Sequence, residues 1–185
     1  MKAKICFLSL IIILYAMNAY AETKYSSPNK QKITKLSLFL HYNLGGNDAN
    51  AAIIAQPNRT TNTNSLYPFG TLLAVNSGLR VSAEPTSELV GRAKGLSVAV
   101  SQQDDENLLV LCLDFGYTKG KFKGSSFVAC SRGSAVEPFS ELAVIGGTEK
   151  FRMAKGFVMS QIYSRGVSAT GIFAIYKVHA TLFHN

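Results

Sequence analysis

Short runs of aliphatic, aromatic and β-branched residues recur along this chain, each closed by glycine, proline, asparagine or serine, and no stretch of helical period is long enough to compete with them. The runs fall at residues 33–42, 51–56, 70–77, 89–101, 108–118, 122–131, 153–164 and 171–183. Gly45-Gly46-Asn47-Asp48 reads as a tight turn and residues 57–68 as a polar loop. Thr118-Lys119-Gly120-Lys121 is too short to be anything but a hairpin connection, so neighbouring strands are expected to run antiparallel. Residues 140–152, with Val144-Ile145-Gly146-Gly147-Thr148 inside them, read as a strand end, a glycine turn and one helical turn.

The last run decides between architectures. Ile172, Ala174, Tyr176, Val178, Ala180 and Leu182 share one face, while Phe173, Ile175, Lys177, His179, Thr181 and Phe183 share the other. Both faces are partly apolar. A closed sheet whose inner face fills or lines an interior, and whose outer face meets a second copy, accounts for this; a sandwich of two sheets is the alternative. The expected fold class is all-β, an eight-stranded antiparallel β-barrel in a single domain over residues 33–185.

Ahead of that domain, Lys2 and Lys4 precede an apolar run to Ala16, and Ala19-Tyr20-Ala21 supplies a small-x-small site before a polar stretch. Residues 1–21 read as a secretory signal peptide, the apolar run being too short for a membrane span of about 20 residues. Residues 22–32, with Ser26-Ser27-Pro28-Asn29, read as a flexible arm. The destination is extracellular. Lys and Arg total 19 against 11 Asp and Glu, so a basic secreted protein would meet acidic polysaccharide or membrane headgroups more readily than nucleic acid, for which no basic cluster with interleaved aromatics is present. Cys6 leaves with the leader. Cys112 and Cys130 share parity in one expected hairpin, so they face the same way if the register sets them opposite; a disulfide and two buried thiols both stay open.

No His-Glu-x-x-His, Cys-x-x-Cys or Gly-x-Ser-x-Gly motif occurs, nor a glycine-rich loop between strand and helix, and His41, His179 and His184 have no acid or cysteine at ligand spacing. Neither a metal nor a cofactor is expected. Lys119, Lys121 and Lys123 read as an alternating basic stripe that guards a hairpin edge, with a polysaccharide site as the alternative. Asn58-Arg59-Thr60 is an N-glycosylation sequon in a loop of a chain bound for secretion.

Several stretches are familiar in order and spacing: Phe39-Leu40-His41, Phe69-Gly70-Thr71, Leu89-Val90-Gly91-Arg92-Ala93-Lys94-Gly95, Lys121-Phe122-Lys123-Gly124-Ser125, and Val144-Ile145-Gly146-Gly147-Thr148-Glu149-Lys150-Phe151-Arg152 running on to Phe157. Together they resemble the plant dirigent protein family over nearly all of the mature chain. That resemblance implies an eight-stranded barrel, usually a homotrimer, secreted to the apoplast and often glycosylated. It also implies a role without a redox centre: a laccase or peroxidase oxidises a monolignol such as coniferyl alcohol, and the barrel orients the phenoxy radicals so that they couple with one handedness in lignan formation. The chain departs from lignan-forming members, which carry aspartate after the first-strand histidine, where Tyr42 stands; a second aspartate, where Gly133 stands; and an arginine, where Ser140 stands. The substitutes in view are Asp114, an acid inside an apolar run, with His41, Tyr42, Arg132 and Tyr163 as further pocket candidates. Two other functions fit the same residues. One is an enzyme that closes a ring or removes water from quinone-methide-like or isoflavanol intermediates; the other is a cell-wall stress protein that binds acidic polysaccharide.

Overall fold

The structure is a computed structural model that describes residues 31–58, 66–103, 106–168 and 171–185. The expected leader, the arm up to residue 30, and Arg59 and Thr60 of the sequon lie outside the described residues. Nine strands form one closed barrel: β1 (Lys32–Leu44), β2 (Ala51–Ala55), β3 (Leu72–Arg80), β4 (Leu89–Ala99), β5 (Leu108–Tyr117), β6 (Ser126–Ser134), β7 (Phe139–Gly147), β8 (Lys155–Ser168) and β9 (Gly171–His184). From β3 to β9 each strand pairs antiparallel with the next, and β9 returns along β1 from Lys32↔His184 to Leu44↔Ile172. The all-β class expected from the sequence is the one observed.

The count of eight is corrected to nine by β7. Its Phe139-Ser140-Glu141-Leu142-Ala143-Val144-Ile145 alternates strictly, with Leu142 and Val144 buried and Glu141, Ala143 and Ile145 exposed. Gly146-Gly147 punctuates it only at the end, and the expected helical turn is a 3-10 turn over Glu149–Phe151. The hairpin after β5 is also longer than expected, because Gly120–Phe122 forms a second 3-10 turn and β6 begins only at Ser126. Lys119, Lys121 and Lys123 therefore do not form an alternating strand edge. On β4, Gly91 and Gly95 let that strand lie close to β5, since a Cβ on either would run into the carbonyl oxygens of Gly116 and Cys112.

β1 and β2 share one side of β3. Phe39, Leu40 and His41 pair with Arg80, Leu79 and Gly78, while β2 takes the stretch from Leu72 to Val75. The seam where β1 hands over to β2 is stitched by Asn50. Its Oδ1 accepts from the Asn43 amide (2.9 Å) and the Ser77 hydroxyl (3.1 Å), and its Nδ2 donates to the His41 carbonyl (2.9 Å). Asn50→Ala leaves that amide and carbonyl without partners, and a buried group left unsatisfied costs about 1–3 kcal/mol. The expected result is a denaturation midpoint lowered accordingly; a midpoint equal to wild type would show that water replaces the amide at no cost.

Alternation sorts the side chains inside and out. Leu40, Leu73, Leu79, Ala93, Leu113, Phe115, Phe127, Val158, Val178 and Leu182 are buried in the interior. Phe122 and Phe151, from the two 3-10 turns, close the end of the barrel where β1 starts and β9 finishes. Their rings lie 4.8 Å apart between centroids, and Phe151 also touches Phe127, Tyr117 and His184. On the outside, Cys112 stands directly opposite Cys130, with Cα atoms 4.1 Å apart and the sulfurs joined. The buried-thiol alternative does not hold, because even-numbered positions of β5 and β6 face outward and Cys112 is exposed. A bond spanning 18 residues restricts the unfolded chain by about 3 kcal/mol. Reductant should lower the chemical-denaturation midpoint of wild type and leave a Cys112→Ala, Cys130→Ala protein unchanged.

Candidate functional site

The other end of the barrel is hollow. A cavity of about 510 Å³ opens there, lined in its depth by Leu40, Leu73, Leu109, Leu111, Leu113 and Leu142 and at its exposed rim by Leu66, Val167 and Phe173. This is within the usual size of a site for a small organic molecule, about 300–1,000 Å³. The wall carries few polar groups: Tyr42 from β1, Tyr67 from the segment before β3, Ser97 from β4, Asn107 just ahead of β5, Ser134 from β6, Ser140 from β7, Ser160 and Arg165 from β8, and Tyr176 from β9. Alternation puts them there, since Tyr42 continues the inward series Leu36, Leu38, Leu40, and Tyr176 lies between Ala174 and Val178.

The phenols form a group. The Tyr42 and Tyr67 hydroxyls share a 3.2 Å hydrogen bond, and Tyr176 is close enough for both to feel it or be felt by it. Burial holds Tyr42 well above the usual tyrosine range, and it raises Tyr67 as well, opposed there by the hydrogen bond to Tyr42. Burial, reinforced by the Tyr67 hydroxyl and opposed by Arg165, pushes Tyr176 up to about 12. Arg165 Nη1 donates to the Val136 carbonyl at 3.2 Å, tying β8 to the segment between β6 and β7. Ser97 is buried, and its hydroxyl has no partner among the described residues. A buried hydroxyl on a cavity wall with no internal partner is a ready anchor for a polar atom of a ligand.

A phenol kept neutral by the fold ionises more easily once the fold opens. This contribution to stability is fully present below pH about 10 and is lost as pH rises through the folded values, about 12 for Tyr176. Tyrosinate absorbance should therefore show late-titrating phenols that ionise together with unfolding, and a denatured sample should lack that phase. A native titration matching the denatured one would contradict the burial of these rings.

Of the pocket candidates His41, Tyr42, Asp114, Arg132 and Tyr163, the cavity gathers Tyr42 alone. Asp114 lies on the outer face opposite Lys94 and Val128, because Leu113 and Phe115 are the inward residues of that strand. Arg132 faces outward opposite Val110. Tyr163 is also outside, its ring edge-on to Phe39 at 5.5 Å. His41 lines a separate outer cleft with Arg80, Arg92 and Asp48, its Nε2 donating to the Ser82 carbonyl at 3.3 Å, and burial holds it below the usual histidine value. Asn58 is exposed. Among the described residues no cluster of three His, Cys, Asp or Glu could hold a metal, and no helix is long and apolar enough to cross a membrane.

The comparison that decides the family covers the whole barrel: residues 33–183 match the family described as Dirigent-like protein. The chain belongs to the dirigent family. It is 31% identical to Dirigent protein 15 of Arabidopsis thaliana, over 96% of this chain and 93% of that one. It is 32% identical to Pterocarpan synthase 1 of Glycyrrhiza echinata, over 99% of this chain and 98% of the relative. The solved structure of a pterocarpan synthase dirigent protein superposes with a TM-score of 0.74 at 34% identity, covering 83% of this chain and 91% of that one.

Within this dirigent barrel, the three departures from the lignan-forming pattern fall close together. Tyr42 and Ser140 line the cavity, and Gly133 is buried beside it: a Cβ there would lie 3.0 Å from Leu111 Cδ1 and 3.3 Å from Ser140 Oγ. An aspartate at 133 would require Leu111 and Ser140 to move, so the wall is packed around the glycine. Tyr67, Ser97, Arg165 and Tyr176 were not among the residues singled out from sequence. Tyr176 alone carried a signal, as a phenol on the apolar face of the last strand.

Proposed function

We propose that this dirigent protein binds neutral phenolic species in the open end of its barrel and fixes the faces at which they react. The radicals, from a monolignol such as coniferyl alcohol, would be made by a separate laccase or peroxidase. The observation that carries this reading is the chemistry of the wall: phenols, serines, one carboxamide and one guanidinium, with no carboxylate among the described lining residues. At neutral pH these groups donate hydrogen bonds and none is a strong base. Such a wall suits holding a phenolic oxygen while apolar side chains set the ring plane.

A second reading has its own support, the likeness to proteins named pterocarpan synthases. In it the Tyr42–Tyr67 pair gives a proton to the departing hydroxyl of an isoflavanol-type substrate; the C–OH bond breaks and water leaves, a substrate phenol oxygen forms the C–O bond that closes the ring, and the proton that phenol loses returns to the tyrosine pair. One experiment separates the two. Purified protein is incubated with coniferyl alcohol plus a one-electron oxidase, and with an isoflavanol without oxidase, and products are resolved by chiral chromatography. Enantiomeric excess in the first arm alone supports orientation of radicals; turnover in the second arm alone replaces it with the ring-closing enzyme.

The same reading takes the protein as secreted after removal of residues 1–21, glycosylated at Asn58, and self-associated through the outer face that exposes Phe139, Ile145, Phe157 and Tyr163. N-terminal sequencing of secreted material should start at Glu22, and light scattering should give a mass near three chains. A mass of one chain would contradict the association.

A further inference from the structure

The closed end of the barrel carries a second surface, chemically opposite to the cavity. Two connections cross it, and each holds a Lys-Phe pair in a 3-10 turn: Lys121-Phe122 and Lys150-Phe151. In both, the phenylalanine turns inward to the aromatic plug and the lysine stays exposed. The two connections are pinned together, Lys150 Nζ donating to the Lys121 carbonyl, and the Lys121 ammonium sits 4.8 Å over the Phe122 ring. Lys119 and Lys123 flank the first turn, Arg152 follows the second, and Lys155 opens β8 opposite Phe183, all exposed. Lys32, opposite His184, adds a further cation at the same end.

The acids on these connections and on the neighbouring one between β3 and β4 are Glu84, Glu88 and Glu149, and Glu88 is already paired with Lys119 at 3.4 Å. The cations therefore outnumber the acids on a platform whose geometry is set by buried rings beneath it. Phe151 is fully buried and Phe122 partly so, and the contact between their rings anchors the two turns that carry the lysines.

We propose that this lysine-rich cap is a docking surface for a linear acidic polysaccharide, a polyuronate, bound through successive carboxylates. Lysine dominates the cap, and its compact hydrated ammonium suits exchangeable contacts with a row of carboxylates, where phosphate-rich partners favour the guanidinium fork. No exposed aromatic ring stands on these connections to stack on a base, and the exposed large apolar side chains at this end, Met153, Val81 and Ile33, are separate single residues on three different segments rather than an inserting apolar face. Because the cap and the cavity lie at opposite ends, a barrel held by the polymer keeps its open end free.

Titration calorimetry of the full secreted protein with polygalacturonate tests this, with the fully methyl-esterified polymer and anionic phospholipid vesicles as comparators. Binding to polygalacturonate should weaken steeply with added salt. Lys121→Gln, Lys123→Gln and Lys155→Gln together should weaken it by about tenfold or more. The same charge change on the barrel wall, Lys94→Gln, Arg132→Gln and Lys177→Gln, should leave it nearly unaltered, and arginine at the three cap positions should retain it. Equal losses from cap and wall variants would overturn the proposal, as would loss of binding in the arginine protein, equal binding of the esterified polymer, or tighter binding of the vesicles.

Discussion

Phe151→Ala is expected to cost about 3–5 kcal/mol, the range for removing a fully buried aromatic ring. Phe151 has no exposed surface and sits at the centre of the plug, in ring contact with Phe122, Phe127, Tyr117 and His184. Those partners come from the β5–β6 connection, β6, β5 and β9, so no single neighbour can close the gap. A cavity bordered by strands that hydrogen-bond around a ring has little freedom to collapse. In thermal denaturation the loss should lower Tm by roughly 10 °C. Val81→Ala, at an exposed position on the β3–β4 connection, should change stability by no more than about 0.5 kcal/mol. Equal effects of the two would mean that the plug is not a packed core.

Ser160→Trp should abolish binding of phenolic ligands while leaving a folded barrel. Ser160 faces the cavity from the middle of β8, between the levels of Val158 and Arg165. An indole there occupies the volume a ligand would take, whereas the overpacking cost, about 1–3 kcal/mol, is limited because the space is already open. The chain has no tryptophan, so the substitution also reports on itself. Its fluorescence should be blue-shifted, as for an indole out of water, and insensitive to added phenol. A water-exposed emission spectrum with ligand binding intact would show that the cavity does not extend past β8 as described.

Much of this arrangement was legible before any coordinates. The alternation in β9 assigned Ala174, Tyr176, Val178, Ala180 and Leu182 to one face, and that face is the interior. Asp114 stands between Leu113 and Phe115 in a run that alternates; once those two are inside, the acid must be outside, and its candidacy as a pocket group ends. The β7 strand escaped because Glu141 and the glycine pair interrupt its apolar character, although its period of two is intact. Tyr67 and Arg165 could not be found from local pattern, since Tyr67 lies outside any strand and Arg165 follows a register shift between Ile162 and Ser164 that reverses the expected facing. The disulfide depended on a register that only the folded ring fixes.

The central claim is that the cavity at the open end directs the stereochemistry of a phenolic reaction. The most direct measurement is the enantiomeric excess of products formed from coniferyl alcohol and a one-electron oxidase in the presence of wild-type protein, Ser160→Trp protein, or none. The account predicts a clear excess with wild type and racemic product with the blocked barrel, as with no protein. Racemic product with wild type, or the same excess with wild type and Ser160→Trp, would contradict it.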